Sequence, residues 1–356
     1  MSDLSINMKA AADIGRYHAL TVAQVIEETA DAKSIVFDVP APLLDAFAYK
    51  AGQFLTLRIP YTGEGVLRCY SLSSAPGIDT RLCVTVKRVA GGRASNWICD
   101  ELRVGSTVDV LPPAGVFVPR SLDEDVLLLA GGSGITPVLS IAKTVLEKGE
   151  GKVTLVYANR DEKSIIFGAA LRELGKRHPN RLTVLHWLDS VQGVPGPDQL
   201  QTLLAPWERA RCFICGPAAF METARVALTA LDVPRDRIHI ERFVSLDAAP
   251  AADVFAPAAP GEAGSDSALE VLLDGATHSI TAGAGETLLD SMLRAGLQAP
   301  HSCRTGSCGA CMCKIEEGEV KLRGNNVLDS DDLADGWTLA CQGSPASVQV
   351  RVRFPD

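Results

Sequence analysis

Four cysteines near the end of the chain constrain it more than any other feature. In HSCRTGSCGACMCKI, Cys303, Cys308 and Cys311 follow a C-x4-C-x2-C pattern, and Cys341 in TLACQG comes after twenty-nine further residues. This is a spacing with which four thiolates hold a 2Fe-2S cluster. Each iron completes a tetrahedron with two bridging sulfides and two cysteine sulfurs, and soft donors select that chemistry over hard cations. Gly306 and Gly309 suit a loop that wraps an anionic cluster, because they accept positive φ and let N–H groups turn inward. Structural zinc is the other reading of four cysteines, although zinc more often takes C-x2-C pairs or mixtures of Cys and His. Cys313, two residues past Cys311, belongs to the expected outgoing strand and reads as a bystander.

At 356 residues the chain has room for two or three domains. From residue 17 to about 119, short alternating runs such as SIVFDVP, QFLTLRIP, RLCVTVKRV and TVDVLPP are separated by Gly and Pro, which predicts a small antiparallel β-barrel. Two clusters interrupt that rhythm. Arg68-Cys69-Tyr70-Ser71-Leu72-Ser73-Ser74 gathers an arginine, an aromatic and hydroxyls in one strand and its exit. Gly91-Gly92-Arg93-Ala94-Ser95-Asn96-Trp97 reads as a glycine turn opening a short helix, with Ser95 near the N-cap. A helix start with free N–H groups, small residues and an arginine suits a phosphate. Taken singly, a core aromatic at Tyr70 and a hairpin turn at Gly91-Gly92 are the plainer readings.

After Asp123 the rhythm becomes strand, helix, strand. VLLLAGGSGITPVLSIAKTVLEKG gives a strand, a break at Gly131-Gly132-Ser133-Gly134 and an amphipathic helix with Pro137 in its first turn. KVTLVYANR, RLTVLHWL, RCFICGP and DRIHIERF read as further strands of a parallel sheet. The glycine turn would let backbone N–H groups approach a pyrophosphate, although its spacing departs from G-x-G-x-x-G. Cys212 and Cys215 form a C-x-x-C, but on a strand they face opposite sides and make a poor dithiol. The expected organisation is a tail at 1–16, the barrel at 17–122, an α/β domain at 123–245, an Ala/Pro-rich tether at 246–268 and a last domain at 269–356. That last domain begins with the strands LEVLLDG and THSIT, followed by a helix near 286–294.

RCYSLSS, preceded by AGQF and followed by GGRASNW, resembles the FAD-binding domain of the ferredoxin-NADP reductase family. The resemblance implies that Arg68 contacts the FAD pyrophosphate, that Tyr70 packs against the flavin and that Ser71 reaches the edge near N5. Leu72 belongs to the same segment, and Arg93, Ala94, Ser95 and Asn96 to a second phosphate-binding one. In the α/β domain it implies a dinucleotide loop at Gly132, Gly134, Ile135, Thr136 and Pro137, and a nicotinamide-side turn at Cys215, Gly216 and Pro217. Glu241 and Phe243 match the segment returning toward the flavin, and Ser71, Cys215 and Glu241 would arrange hydride transfer. Arg160 suits a 2′-phosphate, whereas Asp161 and Glu162 repel one and suit ribose hydroxyls, which favours NADH over NADPH.

The last domain resembles the β-grasp fold of plant-type ferredoxins and would carry the cluster. ASNWICDEL and NNVLDSDDLADGWTLACQ bring the resemblance nearest to reductase components of 3-ketosteroid 9α-monooxygenases, which feed a Rieske oxygenase. Reductases of phenylacetyl-CoA epoxidases, feeding a di-iron oxygenase, share the domain order. The implied route runs from NADH through FAD and the 2Fe-2S cluster to a transiently bound terminal oxygenase. A flavin and iron-sulfur redox sensor is the reading from a different class.

Bulk properties agree. No signal-like h-region or apolar run of the roughly 20 residues needed to span a bilayer occurs, and ten cysteines, four of them ligands, do not resemble a secreted disulfide framework. A cytoplasmic location follows. Net charge is −9, and residues 269–356 hold twelve acidic and seven basic side chains, which disfavours nucleic acid and suits a basic docking partner.

Overall fold

The computed structural model describes residues 17–60, 65–243 and 266–355, so the expected tail and residues 246–265 of the expected tether lie outside the described residues. These residues form two compact units, one built on a six-stranded and a five-stranded sheet and one on a five-stranded and a two-stranded sheet.

The first sheet is antiparallel and six-stranded. Its strands are β1 (His18–Thr29), β2 (Ala32–Asp38), β3 (Phe54–Ile59), β4 (Val66–Ser71), β5 (Leu82–Lys87) and β6 (Thr107–Ala114), in the order β4-β3-β6-β1-β2-β5. Alternation drives it: Leu55, Leu57 and Ile59 of β3, at 0% exposure, share a core with Val22, Phe37, Val84 and Val110. Truncating one of them, such as Leu57→Ala, costs about 2–5 kcal/mol. The sheet closes at a narrow seam. Leu72, just past β4, bridges Val84 of β5, Ser73 N–H donates to the Cys83 carbonyl at 2.8 Å, and Cys83 N–H donates to Ser74 Oγ at 3.1 Å. The RCYSLSS segment is therefore the closing edge of the barrel. Helix α1 (Arg93–Glu101) follows β5.

The second sheet is parallel, with β7 (Val126–Gly131), β8 (Val153–Asn159), β9 (Leu182–Leu188), β10 (Arg211–Cys215) and β11 (Ile238–Glu241) in the order β11-β10-β7-β8-β9. β7 is apolar on both sides because both are covered: Val126, Leu128 and Ala130 enter one core, Leu127 and Leu129 another. Helix α2 (Ile135–Lys148) is not the half-exposed amphipathic helix its sequence suggests. Residues 134–142 are all buried, because the helix lies between its own sheet and the barrel. Ser140 Oγ donates to the Ser74 carbonyl at 2.6 Å, and Lys143 Nζ pairs with Asp79 at 2.9 Å.

The second unit carries β12 (Ser267–Leu273), β13 (Ala276–Ala282), β14 (Met312–Glu317), β15 (Val320–Leu322), β16 (Trp337–Leu339), β17 (Gly343–Pro345) and β18 (Gln349–Arg353). The main sheet runs β13-β12-β18-β14-β16, with β12 and β18 parallel, and β15 pairs with β17. Asp274 (φ 50°) and Gly275 (φ 74°) join β12 to β13 in the Asp-Gly manner of a two-residue hairpin. β12 starts at Ser267, two residues inside the expected tether, since Ala268 already pairs with Gln349. Helix α3 (Leu288–Arg294) starts two residues later than its sequence suggests. Thr287 is the cap, its Oγ1 accepting from Asp290 N–H at 3.1 Å, while Glu286 turns back to accept from Gly283 N–H at 3.0 Å. Among the described residues no helix is long and apolar enough to cross a membrane.

Candidate functional site

β4 differs from its neighbour β3. Residues 66–70 are all half-buried, whereas five of the six residues of β3 are buried, so β4 keeps an open flank beside the seam. Ser71, 2% exposed, has an Oγ with no hydrogen-bond partner. An unpaired buried hydroxyl costs about 1–3 kcal/mol, and a polar ligand atom at the seam would satisfy it, as FAD would. Arg68 Nη1 donates to the Leu67 carbonyl at 2.8 Å, Tyr70 packs partly against the barrel core, and Leu72 is fully buried.

The second flavin segment has Ser95 near the helix start, where its sequence puts it. The N-cap of α1 is Gly92, and Ser95 sits in the first turn with its Oγ accepting from Val89 N–H at 3.1 Å. Asn96 Nδ2 donates to the Val89 carbonyl at 3.2 Å and to that of Gly92 at 2.5 Å. Both side chains brace the glycine turn, where Gly91 has φ +70°. Any anion held here meets the first-turn N–H groups at Arg93, exposed, and Ala94, buried and small.

In the parallel sheet the chain winds outward through β8 and β9 and returns on the other side with β10. The carboxyl ends of β7 and β10 therefore flank the switch point, where dinucleotides bind in such sheets. Their two exits meet backbone to backbone. A Cβ on Gly134 would lie 2.0 Å from the Cys215 carbonyl oxygen, and one on Gly216 2.9 Å from Gly131 Cα. Tyr157 Oη donates to the Gly132 carbonyl at 3.1 Å, and Thr136 Oγ1 to that of Ser133 at 3.0 Å. With those carbonyls tied and Pro137 buried in the first turn of α2, attraction for a pyrophosphate rests on N–H groups and the helix dipole.

Cys215 is the cross-strand neighbour of Glu241. Burial, with Glu241 adding to it, pushes the Cys215 thiol well up, and burial raises the carboxyl of half-buried Glu241 to about 8. Both groups are therefore neutral at pH 7. Ser71 comes from the barrel seam and hydrogen-bonds neither. Phe243, 44% exposed, follows β11. Cys212 lies in the opposite core from Cys215, as expected for strand residues three apart. Asp161 caps the short turn Glu162–Ser164, its Oδ1 accepting from Ser164 N–H at 2.9 Å, and Arg160 pairs with Asp31 at 3.2 Å.

The four cysteines of the second unit converge as two pairs. Cys303 N–H donates to Cys308 Sγ, and Cys341 N–H to Cys311 Sγ, each at 3.5 Å. Hydrogen bonding to the paired sulfur, with burial adding to it, pushes the Cys303 and Cys311 thiols well up, whereas the same bond from Cys311 lowers that of Cys341. Among the described residues no three His, Cys, Asp or Glu side chains gather closely enough to hold one ion. Two pairs fit two irons, each taking two sulfurs, better than one zinc tetrahedron. Gly306 (φ +74°) and Gly309 (φ +67°) turn the loop. Cys313 is fully buried in the sheet core, in the same cluster as Cys311 and Cys341, and makes neither of the two sulfur pairs.

Sequence reasoning missed Gln342, whose Nε2 donates to the carbonyls of Arg304 at 2.9 Å and Cys341 at 3.0 Å, tying the two ends of the cluster site. Its only signal is adjacency to the fourth cysteine. The contacts of α2 with Ser74 and Asp79 join residues more than sixty apart and leave no local signal.

Three family descriptions match the chain: an oxidoreductase FAD-binding domain over residues 19–118, an oxidoreductase NAD-binding domain over 128–226 and a 2Fe-2S iron-sulfur cluster binding domain over 271–346. The chain is 51% identical, over 94% of its length and 96% of the relative's, to the 3-ketosteroid-9-alpha-monooxygenase ferredoxin reductase component of Rhodococcus rhodochrous. It is 38% identical to a component of the 1,2-phenylacetyl-CoA epoxidase of Escherichia coli K12, over 95% of this chain and 98% of that one. Among solved structures, phthalate dioxygenase reductase matches 96% of this chain and 99% of its own, with a TM-score of 0.59 and 23% identity, a likeness of fold.

Proposed function

The chain belongs to the family of flavin and iron-sulfur oxygenase reductases that includes the 3-ketosteroid-9-alpha-monooxygenase ferredoxin reductase components, and on that premise we propose that it carries electrons from NADH to a terminal oxygenase hydroxylating a 3-ketosteroid. The observation that carries this reading is 51% identity sustained over 94% of the chain. FAD accepts electrons as a pair and releases them singly, and the 2Fe-2S cluster takes one at a time.

The chain's own residues bind, orient and exclude water. Arg68 and the first turn of α1, with Arg93, Ala94, Ser95 and Asn96, hold the FAD pyrophosphate, and Tyr70 and Leu72 shape the ring site. Ser71 Oγ donates to the ring edge. Gly132, Gly134, Thr136 and Pro137 hold the NADH pyrophosphate, and Cys215, Gly216 and Pro217 seat the nicotinamide. Glu241, neutral below pH about 8, donates a hydrogen bond there, and Phe243 covers the ring. Asp161 meets the adenosine ribose, which suits NADH over NADPH. Cys303 and Cys308 hold one iron, Cys311 and Cys341 the other. The protein works in the cytoplasm, and its acidic last quarter, twelve acidic against seven basic residues, meets a basic face of the oxygenase transiently.

The test mixes the reductase with NADH, a purified 3-ketosteroid Rieske oxygenase and its steroid, beside a phenylacetyl-CoA di-iron system. Coupled steroid hydroxylation supports the reading. Turnover of the di-iron system alone keeps the electron route and replaces the partner. Failure with both, together with slow reduction of cytochrome c, would point to a redox sensor.

A further inference from the structure

Asp31 stands at the tip of the β1–β2 hairpin, and three contacts fix it there. Thr29 Oγ1 donates to its Oδ1 at 2.8 Å, its own N–H donates to Thr29 Oγ1 at 3.4 Å, and its carbonyl accepts from Arg88 N–H at 2.7 Å. The remaining oxygen, Oδ2, meets two cations. Arg160 Nη2 donates to it at 3.2 Å, and Lys87 Nζ lies 3.8 Å away. Arg160 is the first residue past the carboxyl end of β8. Lys87 ends β5, with its Nζ 3.8 Å from where a Cβ on Gly132 would sit. One carboxylate supplied by the barrel thus restrains two cations beside the dinucleotide loop, although the Arg160 side chain remains 69% exposed.

We propose that Asp31 is a specificity-determining residue for the nicotinamide dinucleotide, withholding Arg160 from the 2′-phosphate that distinguishes NADPH from NADH. The inference rests on NADH as the donor and gives that preference a physical cause. A free guanidinium offers a phosphate a bidentate, charge-assisted pair. Paired with Asp31 its charge is partly neutralised and its fork is turned to a carboxylate, which itself repels a phosphate. NADH carries an uncharged hydroxyl at that position and is indifferent to the pair. Lys87 lies on the pyrophosphate side, common to both dinucleotides, so its response to losing Asp31 cancels when the two are compared.

Asp31→Asn keeps an acceptor for Thr29 and removes the charge. In the holoprotein, calorimetric titration with 2′-phospho-AMP and with AMP should show the first tightening about tenfold relative to the second, equivalent to about 1.4 kcal/mol. The ratio of kcat/KM for NADPH over NADH, read with ferricyanide, should rise in parallel. Adding Arg160→Ala should return both ratios to their starting values. A shift below twofold, or a gain that survives Arg160→Ala, would overturn the proposal. A wild-type protein that prefers NADPH would instead refute the NADH reading, because the Asp31 effect is measured as a change from whichever preference the protein has.

Discussion

The nucleotide loop at residues 131–134 and the cluster loop at residues 303–311 both depend on glycine, for different reasons. In the first, glycine makes room, since a Cβ on Gly134 would fall 2.0 Å from the Cys215 carbonyl oxygen. In the second it supplies handedness at both glycines and room at one: Gly309 has φ +67°, its Cβ meeting nothing nearer than Met312 Sδ at 3.4 Å, whereas a Cβ on Gly306 (φ +74°) would fall 2.9 Å from the Gly324 carbonyl oxygen. The nucleotide loop offers a ligand backbone, and the cluster loop offers four sulfurs gathered in two pairs. One site is defined by missing side chains and the other by particular ones, so damage to each should look different.

Cys308→Ser is the sharpest way to separate them. It removes one sulfur of a pair and leaves the flavin and nucleotide unit untouched. NADH-driven cytochrome c reduction should be abolished while ferricyanide reduction, served by flavin directly, persists. Equal loss of both activities would mean that the cluster is not downstream of the flavin.

Within the nucleotide loop, Gly134→Ala drives a methyl into backbone that cannot yield. Its cost should be about 3 kcal/mol or more. Gly132→Ala strains only a left-handed backbone (φ +51°), with Lys87 Nζ 3.8 Å away as its sole neighbour, and should cost about 1 kcal/mol. Denaturant melts followed by AMP affinity distinguish the two, and equal costs would break the contrast between room and handedness.

The carboxyl ends of β10 and β11 add a titration that the cluster loop has no need of. Burial raises Glu241 from the ordinary 4.5 to about 8 in the folded chain. Below both values the two states are equally protonated. Between them the unfolded chain releases its proton first, so stability falls with rising pH by up to about 1.4 kcal/mol per unit, and above the folded value the slope ends. Glu241→Gln should remove that decline from melts recorded between about pH 5 and about pH 9. An unchanged slope would show that Glu241 is ionised in the folded chain.

How far the sequence revealed these features follows the same division. The gathering of the four cysteines was legible because a spacing of side chains is written in the chain, and the apolar run of β7 read as a strand. The seam joining Leu72 to Val84 was not legible, since closure depends on six strands meeting at once. The burial of α2 was hidden because its second face is covered by the barrel at Ser74 and Asp79. Local competition misled at one cap: Thr287 caps α3, which starts at Leu288, because its hydroxyl takes Asp290 N–H while Glu286 turns back to Gly283 N–H. Such choices turn on single hydrogen bonds worth about 1 kcal/mol, below what a pattern of residue types records.

Ser71 tests whether a backbone-bound unit also contains a side chain kept for its ligand. Its Oγ is buried without a partner, so the folded-state account of this hydroxyl is unbalanced. A hydroxyl kept for structure would leave a destabilised protein when removed. One kept for the flavin would not, because removing an unsatisfied buried oxygen relieves a desolvation cost. Ser71→Ala should therefore leave the flavin-depleted protein as stable as before or up to about 1 kcal/mol more so. Reduction of bound flavin by NADH, followed by stopped-flow absorbance, should slow by about tenfold, less than the roughly hundredfold that losing a fixed oxyanion donor costs. A lower melting temperature with unchanged reduction would make Ser71 a structural residue of the seam and remove the hydroxyl of β4 now assigned to the chemistry.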